Sequence, residues 1–506
     1  MANTETVKLR NSYAQVVYQR QAAYGIKGLT MTDLSIETVE DAEMLARAAL
    51  AGVSYSPFWL DSLGKPADLE PLTAQLNCDL LIVGAGFTGL WAAVQAKEQQ
   101  PERNVVIIEA NSVATGASGR PAAILSTSVM HGMANAQRLF PNEMDVLERL
   151  GKENMDGFKE AISQYNIDCD LEWGGELTVA VGKEGMADIE SEYLLYKKYG
   201  HDAYLLDKDA IQEEIKSPLF FGGLWSKSRS GTVHPAKLAW GLKRVALEKG
   251  VRIFENTPML THSKSLSGIE VTTPAGSVSA RKVLLAVNAF GAKNTKIHQR
   301  VSAIRDRILV TEPLSDDQMT SLGWANRQGV YDTRTQLNYM RLTADNRILF
   351  GGRLGYYYNN NTDPLADKKV DPYIRLAENF YRTFPMLQGI FFSHAWSGPI
   401  ALTTRMAVHY QRYHQGDMIY AGGYSGFGVT ATRFGAKVGL AILDEKNTPE
   451  TRLEFTKTLP SYIPPEPFRW IGAQITMYAL DTVDEKGGWR KLWLAMVEKM
   501  GFPVTQ

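Results

Sequence analysis

Apolar residues in this chain fall into two kinds of pattern: short continuous runs and longer stripes of helical period. Leu80–Val83 is a fully apolar run of strand length, as in a parallel strand buried on both faces. Val105–Ile108 is a second such run, and Trp91–Gln99 between them has helical composition. Ile36–Ala51 reads as a helix with Asp41, Glu43 and Arg47 on its polar side. Glu143–Tyr165 reads as an amphipathic helix, Glu176–Val181 as a strand, and Gly185–Tyr199 as a helix with a solvated face. Ala236–Lys249 carries Leu238, Leu242, Val245 and Ala246 on one face and is ended by Gly250. Val251–Glu255, Val283–Val287, Ile308–Thr311 and Ile390–Trp396 read as strands. Gln336–Leu342 and Arg347–Arg353 form a predicted hairpin turned at Ala344-Asp345-Asn346. Met418–Ala421, another strand, leads into the helix Val429–Leu443.

One stretch organises these elements. Cys78–Glu109 runs strand, glycine-rich turn, helix, second strand and terminal acid. Gly84, Gly86 and Gly89 make G-x-G-x-x-G. The first permits a tight turn, the second lets a pyrophosphate approach the backbone, and the third lets the helix sit close on the strand. The phosphates then meet the helix N-terminus. Glu109 lies 20 residues beyond Gly89, where a carboxylate binds the hydroxyls of an unphosphorylated ribose. Beyond it, Thr115-Gly116-Ala117-Ser118-Gly119 is a small-residue loop suited to close contact with something flat or large. There is one such glycine unit and no second nucleotide fold, which points to a cofactor that stays bound: FAD rather than NAD. Late in the chain, Gly422–Gly428 opens into a helix whose N–H groups suit the negative charge at the pyrimidine end of a reduced flavin.

The order of elements predicts an α/β chain, α+β overall. It comprises a Rossmann-like FAD-binding domain and a second, mainly antiparallel β-sheet substrate domain, both discontinuous. We place the FAD-binding domain at 76–140, 226–300 and 400–445, and the substrate domain at 141–225 and 301–399. Residues 1–75 read as a surface extension and 446–506 as a helical tail. That tail carries Trp470, Trp489 and Trp493 among lysines and arginines. It suits a membrane surface, the body of the protein or a partner subunit.

Composition narrows the class. The 506 residues are 44% hydrophobic, enough for full cores, and the formal net charge of −1 gives no electrostatic case for nucleic acid. Two cysteines, Cys78 and Cys169, exclude a disulfide framework and suit a reducing, cytoplasmic setting. No secretory signal or transmembrane segment is predicted, and no metal site. Oligomeric state is left open, a homo-oligomer included.

The pieces VGAGFTGLWAA, VVIIEA, GASGR, GTVHPAKLAWGL, LLAVNAF, ILVTEPL, ILFGGRLGYY and YAGGYSGFGVTATRFGAKVGLAI run in order from Cys78 to about Asp444. Together they resemble the FAD-dependent D-amino acid oxidase superfamily of glycine, sarcosine and amine oxidases, nearest its γ-glutamylputrescine oxidoreductase branch. The resemblance implies Gly84, Gly86, Phe87, Thr88 and Gly89 at the pyrophosphate and Glu109, with Ala110 beside it, at the adenosine ribose. It puts Ser118, Gly119, Arg120, Ala122 and Ala123 along the flavin, Met259 at the adenine side and Asn288 in the cofactor site. Gly426, Phe427, Gly428, Val429 and Thr430 would meet the flavin pyrimidine, with FAD held non-covalently. The chain departs from the family in three places. The branch's S-G-R-N-G-G is Ser118-Gly119-Arg120-Pro121-Ala122-Ala123: proline removes an N–H donor, and two alanines disfavour positive φ. Gly-His-Gly is Gly426-Phe427-Gly428. Arg353 stands where sarcosine oxidases have a lysine, keeping the charge but not the base.

The leading function is oxidation of a small amine or amino compound. A hydride leaves the carbon next to nitrogen for flavin, the imine hydrolyses, and oxygen or another acceptor takes the electrons. Such chemistry needs positioning above all. Arg353, Tyr424 and Phe427 are the catalytic candidates, with Tyr356, Trp396 and Arg341 at the substrate. The aromatic residues Tyr356, Trp396, Tyr424 and Phe427 would cage a cationic amine. A second reading is oxidation of an amino or 2-hydroxy acid, whose carboxylate would want a guanidinium fork from Arg334, Arg341, Arg353 or Arg405. A third is a flavin-bound subunit without turnover. His131, after the flavin loop, is placed to approach the cofactor or to pack.

Overall fold

The computed structural model of the protein describes residues 39–64 and 66–502. The remainder of the predicted N-terminal extension, residues 1–38, lies outside the described residues.

β1 (Gln75–Val83) is central in the first of two sheets. It pairs in parallel with β2 (Val105–Ile108) and β9 (Ser277–Leu285). β6 (Arg252–Phe254) extends the sheet beyond β2, and β16 (Met418–Gly422) extends it beyond β9, both in parallel. β15 (His409–Tyr413) closes that edge antiparallel. β7 (Thr261–Lys264) and β8 (Ile269–Thr272) form a ribbon on the first half of β9. The apolar run of β1 has two destinations. Leu80 and Ile82 enter the core under the helices, while Leu81 and Val83 join a second cluster on the opposite face. Both faces are covered, so the strand reads as continuous rather than alternating. α2 (Phe87–Gln99) is buried from Phe87 to Ala96 and packs on α4 (Pro235–Glu248) and α6 (Gly428–Leu443). α3 (Met144–Gln164) packs on α6 in turn.

The second sheet runs β14-β10-β13-β12-β11-β3-β5-β4. Its strands are β3 (Glu176–Val181), β4 (Ala203–Leu206), β5 (Phe220–Ser226), β10 (Ser302–Thr311), β11 (Gly329–Asp332), β12 (Tyr339–Leu342), β13 (Ile348–Tyr356) and β14 (Phe392–Leu402). All its pairings are antiparallel except β3 with β11. The predicted hairpin is β12–β13, with Asn346 at φ 57° in the turn. One face packs on α5 (Asp371–Thr383) through Phe350 and Phe380, whose rings are 5.6 Å apart. The mixed α/β fold is the expected class. Several strands, β1, β9 and β10 among them, are longer than their apolar runs suggest. β9 begins at Ser277 because its first half alternates beside β8, and only Val283–Leu285 is continuously buried.

The described residues before β1 pack on the body of the protein. α1 (Val39–Ala49) buries Ala42, Leu45, Ala46, Ala48 and Ala49 and packs on α5. Ser54 bridges to His394 of β14, and Trp59 is 1% exposed. At the other end, α7 (Phe468–Lys486) packs on β13, and α8 (Trp489–Lys499) packs on α7 through Leu480, Val483 and Leu494. The tail therefore rests on the body. No helix among the described residues is long and apolar enough to cross a membrane.

A Cβ on Gly89 would overlap the carbonyl oxygen of Gly84, and backbone cannot move aside as a flexible side chain can. Gly89→Val therefore lifts α2 off β1. We expect little soluble, folded protein, read by expression yield and circular dichroism.

Candidate active site

A cavity of about 1690 Å³ lies between the two sheets. Single-ligand pockets hold about 300–1,000 Å³, so this one has room for more than one molecule. Two buried helices, α2 and α6, begin at its wall, and neither N-terminus has a side-chain cap. The N–H groups and dipoles at these ends favour negative charge in the cavity. At the start of α2, Gly84 has φ 103°, and a Cβ there would lie 2.8 Å from the carbonyl oxygen of Ala286. A Cβ on Gly86 would lie 2.9 Å from Ser118 Oγ. Both glycines let the backbone pass close to its neighbours at this end of the cavity. At the end of β2, Glu109 accepts from the N–H of Ala85 at 2.7 Å and of Asn111 at 3.0 Å. Burial raises its carboxyl above the usual range, against the lowering effect of those two N–H groups. A negative carboxylate, open glycine backbone and two positive helix ends in one cavity fit an adenine dinucleotide's ribose and pyrophosphate.

The sequence model described as "FAD dependent oxidoreductase" (DAO) matches residues 79–439. The chain belongs to this family. Gamma-glutamylputrescine oxidoreductase of Escherichia coli (strain K12) is 32% identical over 394 residues, covering 77% of this chain and 88% of that protein. A probable oxidoreductase, OrdL, of Haemophilus influenzae is 30% identical over 389 residues, covering 75% and 86%. Sarcosine oxidase subunit beta of Rhizobium meliloti is 25% identical over 244 residues, covering 46% of this chain and 52% of that protein. Among solved structures, glycine oxidase from Geobacillus kaustophilus superposes with a TM-score of 0.65 at 17% identity, covering 76% of this chain and 99% of that one. This FAD-dependent oxidoreductase thus has both the fold and the cofactor expected.

Most of the residues assigned to FAD from the sequence line the cavity of the oxidoreductase. They are Gly84, Gly86, Phe87, Thr88, Glu109, Ala110, Ser118, Arg120, Ala122, Ala123, Met259, Asn288, Gly426, Phe427, Gly428 and Val429. Gly89 and Gly119 lie behind the wall, where an added Cβ would strike backbone. Thr430 also lies behind it, its hydroxyl donating to Ser126 O. The Ser118 hydroxyl accepts from Phe87 N at 2.9 Å, fixing the loop to α2. Thr88 Oγ1 donates to Tyr424 Oη at 2.9 Å and ties the starts of α2 and α6 together. Tyr424 was a catalytic candidate. It lines the cavity, and its hydroxyl, engaged by α2, joins the two helix ends.

Two substrate candidates are placed elsewhere. Trp396 is 1% exposed and does not line the cavity; its indole donates to Arg120 O at 3.0 Å. Arg341 is buried behind Ala122 and Ala123, donating to their carbonyls at 3.3 and 3.4 Å and to Val233 O at 2.7 Å. Trp59 adds a 2.8 Å bond to Pro121 O. The altered loop 120–123 is therefore held by its carbonyls. Ala123 takes φ 61° despite having a Cβ, a strained conformation that these bonds maintain.

Three further candidates line the cavity. Phe427 is stacked on Tyr331 at 6.1 Å and tilted against His131 at 3.9 Å. Burial lowers the His131 pKa to about 4, so that ring is neutral. Tyr356 lines the cavity and donates to Glu466 at 2.5 Å. Arg353 lines it as well, at φ 65°, and pairs with Asp481 of α7.

Sequence reasoning missed Asp306. Opposite it, between the Arg305–Gly355 and Arg307–Gly352 pairs, β13 carries two residues, Arg353 and Leu354. Such a bulge re-aims side chains. Asp306 lines the cavity beside Tyr331 and Tyr339, and Tyr339 Oη donates to it at 2.6 Å. Burial raises its pKa to about 6, with the Tyr339 bond opposing. The one available signal was a carboxylate inside the otherwise apolar or basic strand Ser302–Thr311.

Two outcomes follow. FAD affinity should fall as pH drops through the Glu109 titration, in a window above that of an ordinary glutamate, because the neutral acid binds ribose hydroxyls less well. Glu109→Gln should flatten that dependence in titrations followed by flavin fluorescence. Arg341→Met should cost about 1.5–3 kcal/mol of stability for each charged hydrogen bond lost without replacement and should release FAD. If it instead raised only KM, Arg341 would be a substrate ligand after all.

Proposed function

We propose that this oxidoreductase oxidises the C–N bond of a small amine or amino compound. The hydride goes to the cofactor, the imine is hydrolysed in water, and oxygen or another acceptor takes the electrons. The observation that carries this reading is the Asp306 carboxylate on the cavity wall beside Tyr331, Tyr339 and Phe427. A carboxylate and aromatic faces suit an ammonium group. The four arginines weighed for a carboxylate fork are already engaged. Arg334 pairs with Asp332 at 3.0 Å, Arg341 holds loop carbonyls, Arg353 pairs with Asp481, and Arg405 donates to Thr458. The names of the relatives, which include gamma-glutamylputrescine oxidoreductase, sarcosine oxidase subunit beta and glycine oxidase, support the same class.

Bound FAD supplies a two-electron acceptor. In our reading Gly84, Gly86, Phe87 and Thr88 meet its pyrophosphate, Glu109 its ribose, and Gly426–Val429 its pyrimidine end. Arg120, whose guanidinium donates to Thr115 O at 3.2 Å and Ser397 O at 3.0 Å, is fixed beside them. We read the attachment as non-covalent, as the family resemblance implies. Asp306, ionised above pH about 6, anchors the ammonium and accepts its proton, leaving the nitrogen lone pair free to assist hydride departure. The rings of Tyr331, Tyr339 and Phe427 keep that step dry. Arg353, already paired with Asp481, contributes charge rather than a fork. Both cysteines are free and buried, which supports a cytoplasmic setting.

The test is anaerobic bleaching of the flavin by amines, amino acids and 2-hydroxy acids. Amines should bleach it fastest, with kcat/KM rising with pH through a limb near 6. Asp306→Asn should remove the limb and lower kcat/KM about 10²–10⁴-fold, the usual contribution of general acid–base catalysis. Rapid bleaching by 2-hydroxy acids with Asp306→Asn unaffected would reject the proposal.

A further inference from the structure

The cavity does not end at Asp306 and Arg353. It continues along the C-terminal helices, beyond the last residue matched by the family model. On α7, Phe468, Gly472, Thr476 and Leu480 line it at steps of four; on α8, Trp493, Met496, Val497 and Met500 do so at steps of three and four. These are helical stripes. A stripe of this kind normally faces a core. Here both face open volume, with Phe468 68% and Met496 44% exposed.

The polar groups on these helices are turned elsewhere. Asp481 pairs with Arg353, Asp484 accepts from Thr335 N at 3.1 Å, and Gln474 donates to Tyr356 O at 2.9 Å. All three bonds run to the second sheet or its loops. Within the stripes, Thr476 donates to Gly472 O at 2.8 Å and accepts from the Trp493 indole at 3.0 Å. Thus these two polar side chains satisfy each other, and Arg469, which also lines the cavity on α7, donates to Pro464 O at 2.9 Å and His298 O at 2.8 Å, so the stripes present an apolar surface.

We propose that α7 and α8 form a subsite for an apolar arm of the substrate. The oxidised compound is then an amine carrying an alkyl or aryl arm, its nitrogen at Asp306 and its arm along α7 and α8. This rests on the amine reading above. The occupant is argued from continuity: one unbroken cavity joins the carboxylate to the apolar stripes, and the Arg353–Asp481 pair sits where they meet. A second copy of the chain would cover the outer helix faces without explaining stripes that turn inward to the cavity.

The experiment uses the FAD-loaded protein and n-alkylamines from ethylamine to decylamine. Binding is read by perturbation of the flavin spectrum and turnover by anaerobic bleaching. The apparent Kd should fall roughly three- to fourfold per added methylene, as for transfer of CH₂ out of water, until the arm fills the subsite. A Cβ at Gly472 meets nothing within 4 Å, and Gly472 is helical, so Gly472→Leu should fold while plugging the subsite. In that variant the advantage of decylamine over ethylamine should shrink at least tenfold. A Kd independent of chain length, with bleaching intact, would overturn the subsite and leave amine oxidation standing. Tightening with length but no bleaching would keep the subsite and reject amine oxidation. Length dependence undiminished in Gly472→Leu, or a flat series together with a dimer that Met496→Asp dissociates, would also overturn the proposal.

Discussion

Four consecutive carbonyls, those of Arg120 through Ala123, accept hydrogen bonds from Trp396, Trp59 and Arg341, three side chains distant in sequence. The loop they belong to runs between the two sheets along the cavity. Beyond Arg120, its side chains offer no hydrogen-bonding group to hold it, being proline and two alanines. A buried carbonyl without a partner is costly, so the donors dictate where the loop passes. One donor comes from the segment before the first sheet and two from the second sheet. The shape of the cofactor cavity thus depends on parts of the chain that never line it.

The same economy governs charge. The wall offers one carboxylate at the end of β2, two uncapped helix ends, and a second carboxylate at the β13 bulge. Its most prominent cation, Arg353, is balanced by Asp481 from α7. That pair couples the tail to the chemistry: the helices that build the apolar end of the cavity also set the net charge near its reacting end. Arg307 supports the bulge from behind, donating to the carbonyls of Arg353 and Leu354 at 3.1 and 3.3 Å. A strained backbone at Arg353 is kept because these contacts over-determine it.

The nucleotide half was legible in the sequence because its signals are local. Strand, glycines, helix and Glu109 lie within about thirty residues, and each does its work through neighbours in the chain. The same holds for the β12–β13 hairpin and for the glycine-rich entry to α6. Boundaries slipped where pairing, not composition, lengthens a strand, as at the start of β9 beside β8.

The substrate end could not be read in that way. Trp396 and Arg341 have the residue types of a ligand cage, yet each is spent on carbonyls of the loop 120–123, which covers that part of the sheet. Asp306 looks incidental in Ser302–Thr311 until a bulge on a neighbouring strand gives it a place on the wall. The C-terminal stripes have a helical period in the sequence, but whether they face a core, a partner or a cavity depends on where β13 anchors α7. By itself, then, the sequence determined the cofactor and the fold, since both rest on short-range backbone geometry. Only the tertiary structure decided which side chains meet the substrate, because that depends on which distant strands and helices converge and which of their polar groups are already spent on holding the backbone.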